Sequence, residues 1–281
     1  MKRTFLSLFV VLMLFSPVFG VTAQEVPSPV PEATAEAARV GESGPGFGRE
    51  GQRPGTAEFV EMVIQDVNLT WANLFQSWGY SYIPPTYVTI EAGAYARSSC
   101  GINAGNPMED PSLNPALYCI YGGELGTQAI GSPDVFETQV VYSPVIYLSI
   151  PWLEESSSTN ASNADFTVAY RVAHEVAHHI EYLLGYIDHT GGGCCGYTDE
   201  QIDLWADCLT GVWAYSAYDE GKLAEPDVKG AQAAAWGDEA DLPEEFGREA
   251  DHGNPEQRLL SLMTGYENGN ASLCIEGDPG G

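Results

Sequence analysis

The sequence predicts an α+β protein, mainly helical with a small sheet, preceded by a disordered linker. Three observations carry this. An apolar stripe at helical spacing runs over 56–77, two β-branched and aromatic runs precede residue 150, and helical segments follow one another after residue 163.

The chain opens with MKRTFLSLFVVLMLFSPVFGVTAQ. Lys2 and Arg3, an apolar run from Phe5 to about Phe19, and small residues at Val21 and Ala23 read as a secretory signal over 1–23. The apolar run is short for a membrane span, and no later segment approaches that length. An uncleaved signal would leave the same outer domain tethered at its N-terminus. Residues 24–55 are rich in proline, glycine, alanine and acidic residues and nearly lack large apolar ones, so they form a tether rather than a core. The folded unit is expected over 56–281.

Within that unit, Phe59, Val63, Val67, Trp71 and Phe75 recur every four residues and define the first helix, 56–77. Strands are expected at TYVTIEAG, 86–93, and TQVVYSPVIYLSI, 138–150. Pro144 inside the second makes it an edge, bulged or broken strand. The glycine-rich 122–134 between them reads as loop. A buried helix starts near Asn163 or Asp165 and stops at Gly185, because its apolar residues occupy most sides. HTGGGCCG, 189–196, is a flexible connection. Further helices are expected at about 198–218, 226–236 and 254–264, the last two opening with proline.

Composition narrows the partners. The 281 residues include 39 acidic and 11 basic side chains, a formal charge of −28, with 44% hydrophobic and 11% aromatic residues. So acidic a chain repels nucleic acid and anionic membranes and gains solubility. The six cysteines, Cys100, Cys119, Cys194, Cys195, Cys208 and Cys274, contain no CxxC pair. In an oxidising compartment they read as disulfides rather than metal thiolates. Asn68, Asn160 and Asn270 lie in glycosylation sequons.

The chemistry concentrates in RVAHEVAHHIEYLLG, Arg171 to Gly185, which holds three of the five histidines. His174 and His178, four apart, stack on one helix face and can converge on one ion. His179 is turned away by about 100°. Glu175 lies beside the metal position, where a carboxylate can deprotonate a bound water, the H-E-x-x-H arrangement. The alternative is a hydrogen-bonded core network. Catalytic zinc takes a third protein ligand, and DEQIDLWADCLTGVWAY, Asp199 to Tyr215, offers it. Asp203 as ligand, with Asp207 orienting a ligand histidine, uses both inner-face acids. Glu200, one turn earlier, is a substitute.

Taken in order, DFTVAYRVAHEVAHHIEYLLG, DLWADCLTGVWA and DHGNPEQR resemble the neutral zinc metallopeptidase family over roughly Glu58 to Cys274. The resemblance implies a zincin α+β fold, one zinc ion and peptide-bond hydrolysis. It assigns His174 and His178 as ligands, Glu175 as base, Asp203 as third ligand and Asp207 as the acid behind a ligand histidine. It also implies the pairings Cys100–Cys119 and Cys208–Cys274. The sequence departs from the family in three places. Asp203 replaces a glutamate, the stretch 120–137 appears inserted, and GGGCCG is extra, so Cys194 and Cys195 can pair vicinally or cross-link elsewhere.

His252 has two readings: donor to the tetrahedral oxyanion, or cap of the helix that Pro255 begins. Arg258 reads as the salt-bridge partner of a buried acid. The function expected is therefore an exported zinc peptidase acting on peptides or proteins through a zinc-activated water. The peptide would lie along an edge strand at Val145 to Leu148. The rival readings are a zinc-stabilised binding domain without catalysis and a metal-free, disulfide-stabilised surface protein.

Overall fold

The computed structural model describes residues 55–98, 100–129, 136–159, 164–188, 193, 196–222 and 252–276. The expected signal, linker, 226–236 helix and Cys194–Cys195 pair lie outside these residues. The described part is α+β and mostly helical.

Helix α1, Thr56–Ser77, buries all five residues of its predicted stripe and ends before Gly79, whose φ of +82° turns the chain. Strand β1, Thr86–Ile90, follows, and it stops short of the predicted residue 93 because the chain turns at Gly93, φ +73°. Strands β2, Tyr95–Arg97, and β3, Asn103–Gly105, form a small antiparallel hairpin. Strands β4, Ala116–Ala129, and β5, Phe136–Ser149, pair antiparallel, and β1 joins β5 in parallel, giving the order β1-β5-β4.

Two strand expectations are corrected here. The predicted loop at 122–134 is strand as far as Ala129, because cross-strand bonds to β5 override the weak strand preference of its glycines. β5 is also the central strand rather than an edge, and it runs through Pro144 without interruption. Pro144 is tolerated because β1 pairs only from Val145 onward, so the strand is locally an edge there.

β5 passes directly into α2, Ile150–Thr159, a helix the strand pattern concealed. Helix α3, Ala164–Leu184, ends at Gly185, φ +83°. Helix α4, Asp199–Asp219, starts with a capping box in which Thr198 and Gln201 exchange hydrogen bonds. Helix α5, Pro255–Asn268, opens with a second such box between Asn254 and Gln257. Asn254, not His252, therefore caps it. A short α6, Ser272–Glu276, closes the described chain.

One face of the sheet, with Ile120, Ile146 and Leu148, packs on the helices in the main core. The other, with Ile90, Cys119 and Tyr147, lies against Ala104 of β3. Helices α4 and α5 cross at Gly211 and Gly265. A Cβ on Gly265 would stand 1.9 Å from the Cys208 carbonyl oxygen, so only glycine permits the approach. Cys208–Cys274 secures the same junction, and Cys100–Cys119 ties the β2–β3 hairpin to β4.

Candidate metal centre

Helices α3 and α4 face each other, and their periodicity determines what meets between them. His174 and His178 share one face of α3, their ring centroids 4.8 Å apart. Asp203 and Asp207 likewise share one face of α4. Asp203 Oδ1 lies 3.2 Å from His174 Nε2 and 3.6 Å from His178 Nε2. One ligand atom from each of the three residues falls within 4.8 Å of the others. Donors held about 2.0–2.2 Å from a tetrahedral zinc stand roughly 3.3–3.5 Å apart, so this donor set fits the ion. The shorter aspartate side chain reaches both imidazoles.

Behind each histidine stands a buried carboxylate. His174 Nδ1 is 2.9 Å from Asp207 Oδ1, and His178 Nδ1 is 2.9 Å from Glu181 Oε2. With Nδ1–H donating to these acids, Nε2 is the nitrogen that each ring turns toward Asp203. Arg258 donates from Nε to Asp207 Oδ2 at 2.9 Å and from Nη2 to the Tyr170 hydroxyl at 2.8 Å, while Tyr170 donates to Asp207. Burial alone would raise the Asp207 pKa, but the Arg258 and His174 charges outweigh it and hold it at about 2. Glu181 has no arginine beside it among the described residues, and burial pushes it up to about 7 against the pull of His178.

The histidines respond in kind. Burial disfavours charge on His174, yet Asp207 and Asp203 outweigh it and lift the pKa to about 9. His178 is raised well above its ordinary value against the same burial, through hydrogen bonds to Asp203 and Glu181. Asp203 is held well below the usual carboxylate range despite burial, because His174, His178 and His252 all bond to it. These protons occupy the positions a dication would take, so metal binding here must release protons.

The other sequence-predicted residues divide clearly. Glu175 is partly exposed, and burial raises its pKa while the nearby His178 and His174 pull it down. His252, at the rim, sets Nδ1 2.8 Å from Asp203 Oδ1. Glu200 stands apart from the cluster and accepts from Gln257 Nε2 at 3.1 Å. His179 points away: its Nε2 donates to the Ile83 carbonyl at 2.7 Å, leaving Nδ1 to accept from Tyr118, and burial lowers its pKa to about 4. The expected peptide position along Val145 to Leu148 is closed, since β1 and β4 occupy both sides of that segment.

Sequence reasoning missed Glu181 and Tyr170. A signal existed for Glu181, which lies three residues after His178 and is therefore within reach of its ring. For Tyr170 the signal was its place one turn before His174, on the same helix face, although its partners Asp207 and Arg258 come from two other helices.

Comparison with known proteins agrees with the motifs. Residues 141–276 match the family model described as "Putative neutral zinc metallopeptidase", the family read from the sequence. The chain is 25% identical over 231 residues to "Uncharacterized protein YpfJ" of Escherichia coli strain K12, covering 78% of this chain and 70% of that protein. The protein of that name in Escherichia coli O6:H1 matches to the same extent. No solved structure gives a significant match.

Proposed function

We propose that this chain, whose residues 141–276 fall in the zinc metallopeptidase family, is an exported peptidase. The observation that carries the reading is the convergence of His174, His178 and Asp203 beside Glu175, each histidine backed by its own acid. His174 Nε2, His178 Nε2 and one Asp203 oxygen would hold zinc, leaving a coordination position open. Bound there, zinc supplies a Lewis acid that lowers the pKa of water and polarises the scissile carbonyl.

The chain's own groups do the rest. Glu175 takes a proton from the attacking water, and its raised pKa suits it to pass that proton to the leaving amine. His252 Nδ1 is engaged with Asp203, which leaves Nε2 to donate to the tetrahedral oxyanion. The peptide lies along β4, because Tyr118 of that strand stands against His178, ring centroids 6.4 Å apart. Export is supported by the two disulfides. No described helix is long and apolar enough to cross a membrane.

The test is hydrolysis of a denatured protein by the zinc-loaded chain, with and without chelator, alongside Glu175→Gln. Chelation should stop cleavage. Glu175→Gln should retain stoichiometric zinc and lose at least about a hundredfold in rate. Full turnover by that variant rules the mechanism out, and zinc binding without any cleavage by the parent chain leaves only a zinc-stabilised binding domain.

A further inference from the structure

We propose, resting on the peptidase reading above, that His179 is a positioning residue for the reaction: through Tyr118 it fixes strand β4 at its distance from His178 and the zinc position. It is the one histidine of α3 that the metal centre leaves unused.

Packing alone does not account for this side chain. His179 is 1% exposed, and an imidazole so far from water is tolerated only when its nitrogens are satisfied, a demand that an apolar side chain of like size would not make. Both nitrogens have partners, and these come from two segments distant in the chain. Nε2 donates to the Ile83 carbonyl at 2.7 Å. A backbone carbonyl can only accept, so that bond places the proton on Nε2 and leaves the lone pair on Nδ1. Facing the lone pair at 3.3 Å is the Tyr118 hydroxyl, which therefore donates.

The two partners act differently. The Ile83 side is closed framework. There the Tyr82 ring lies 6.0 Å from His179, the Tyr82 hydroxyl donates to Asn68 Oδ1, and Asn68 Nδ2 donates to the Tyr87 hydroxyl at 2.7 Å. These contacts tie α1, the segment before β1 and β1 itself to α3. Tyr118 belongs instead to β4, and its ring meets His178 as well as His179, with centroids 6.4 and 5.9 Å away. His179 thus anchors a residue of β4 beside a candidate ligand. Release of the Tyr118 hydroxyl would let β4, and a peptide on it, shift relative to the metal while every ligand stays in place. A misplacement of about 1 Å can cost up to about a hundredfold in rate.

Two substitutions separate the two bonds, because glutamine carries its amide to the place of Nε2 and asparagine to the place of Nδ1. The test uses the zinc-loaded full chain and a peptide that the parent chain cuts. His179→Gln and Tyr118→Phe should each lower kcat about three- to tenfold, as for one lost hydrogen bond, with KM within about twofold and zinc content unchanged. The double variant should lose no more than either alone, since both changes break the same contact. His179→Asn should recover most of the lost kcat yet unfold at lower urea, because it gives up the Ile83 bond. In the zinc-free chain, imidazole nitrogen NMR should show the His179 Nδ1 signal displaced by Tyr118→Phe and the Nε2 signal held. An Nδ1 signal that stays in place, additive losses in the double variant, or a kcat that follows stability across the variants overturns the inference while the peptidase reading stands. Parent-like kcat in Tyr118→Phe does so even where the His179 variants fail to fold. Failure of the parent chain to cut any peptide sinks the peptidase reading, and this inference with it.

Discussion

Two acids stand behind the two candidate zinc ligands at the same distance, 2.9 Å, and in different electrical surroundings. Asp207, behind His174, is fully buried and held by Arg258 and Tyr170. Glu181, behind His178, is equally buried, but its Oε1 has no hydrogen-bond partner among the described residues. The first acid is a neutralised part of the α4–α5 junction, whereas the second depends on the charge of the centre it supports. Asp207 therefore serves folding and site together; Glu181 serves the site and costs the fold something at neutral pH.

The largest effect should come from Asp207→Ala. It strands Arg258 in the interior and frees His174, so denaturant unfolding should show a loss of about 3–5 kcal/mol. A loss under about 1 kcal/mol would mean the junction does not rely on that pair. Glu181→Gln keeps an oxygen that can accept from His178 but removes the charge. Zinc affinity, measured by competition with a chelator, should fall about 10- to 100-fold with little change in unfolding. If Glu181→Gln proved the more destabilising of the two, the contrast would be reversed.

Tyr170→Phe removes one hydroxyl from the Asp207 and Arg258 network, and about 1 kcal/mol of unfolding free energy should go with it. Asp207 and Glu181 should also have opposite pH signatures in the metal-free protein. Asp207 is depressed in the fold, so its stabilisation is present above pH 3.8 and is lost as pH falls toward about 2. Glu181 is raised in the fold, so the unfolded chain holds fewer protons between 4.5 and about 7 and stability declines as pH rises across that window. Urea midpoints at pH 5 and pH 8 should converge more closely in Glu181→Gln than in the parent chain. An unchanged difference would show that Glu181 ionises freely.

How much of this could be read beforehand depends on how local each feature is. The pairs His174–His178 and Asp203–Asp207 follow from a four-residue repeat on single helices, and α1 matches its predicted 56–77 span for the same reason. Arg258 was legible as a partner for some buried acid because cations are scarce in this chain. The β4–β5 pairing was not legible: Gly122 and Gly123 look like loop until β5 pairs with them. Pro144 misled in the same way, since whether it breaks a sheet depends on where β1 begins. α2 was hidden because Ile150 continues a strand-like run into a helix.

By itself the sequence determined the α+β order of elements, the acidic character, and the two helices that carry imidazoles and carboxylates, because helical and strand periods are properties of neighbouring residues. Only the tertiary structure decided that Asp203 meets both histidines, that Asp207 is held by Arg258 while Glu181 leans on His178 alone, and which strand is left with a free edge. Those outcomes depend on contacts between residues far apart in the chain, such as Tyr170 with Arg258, whose closing distance no local pattern encodes.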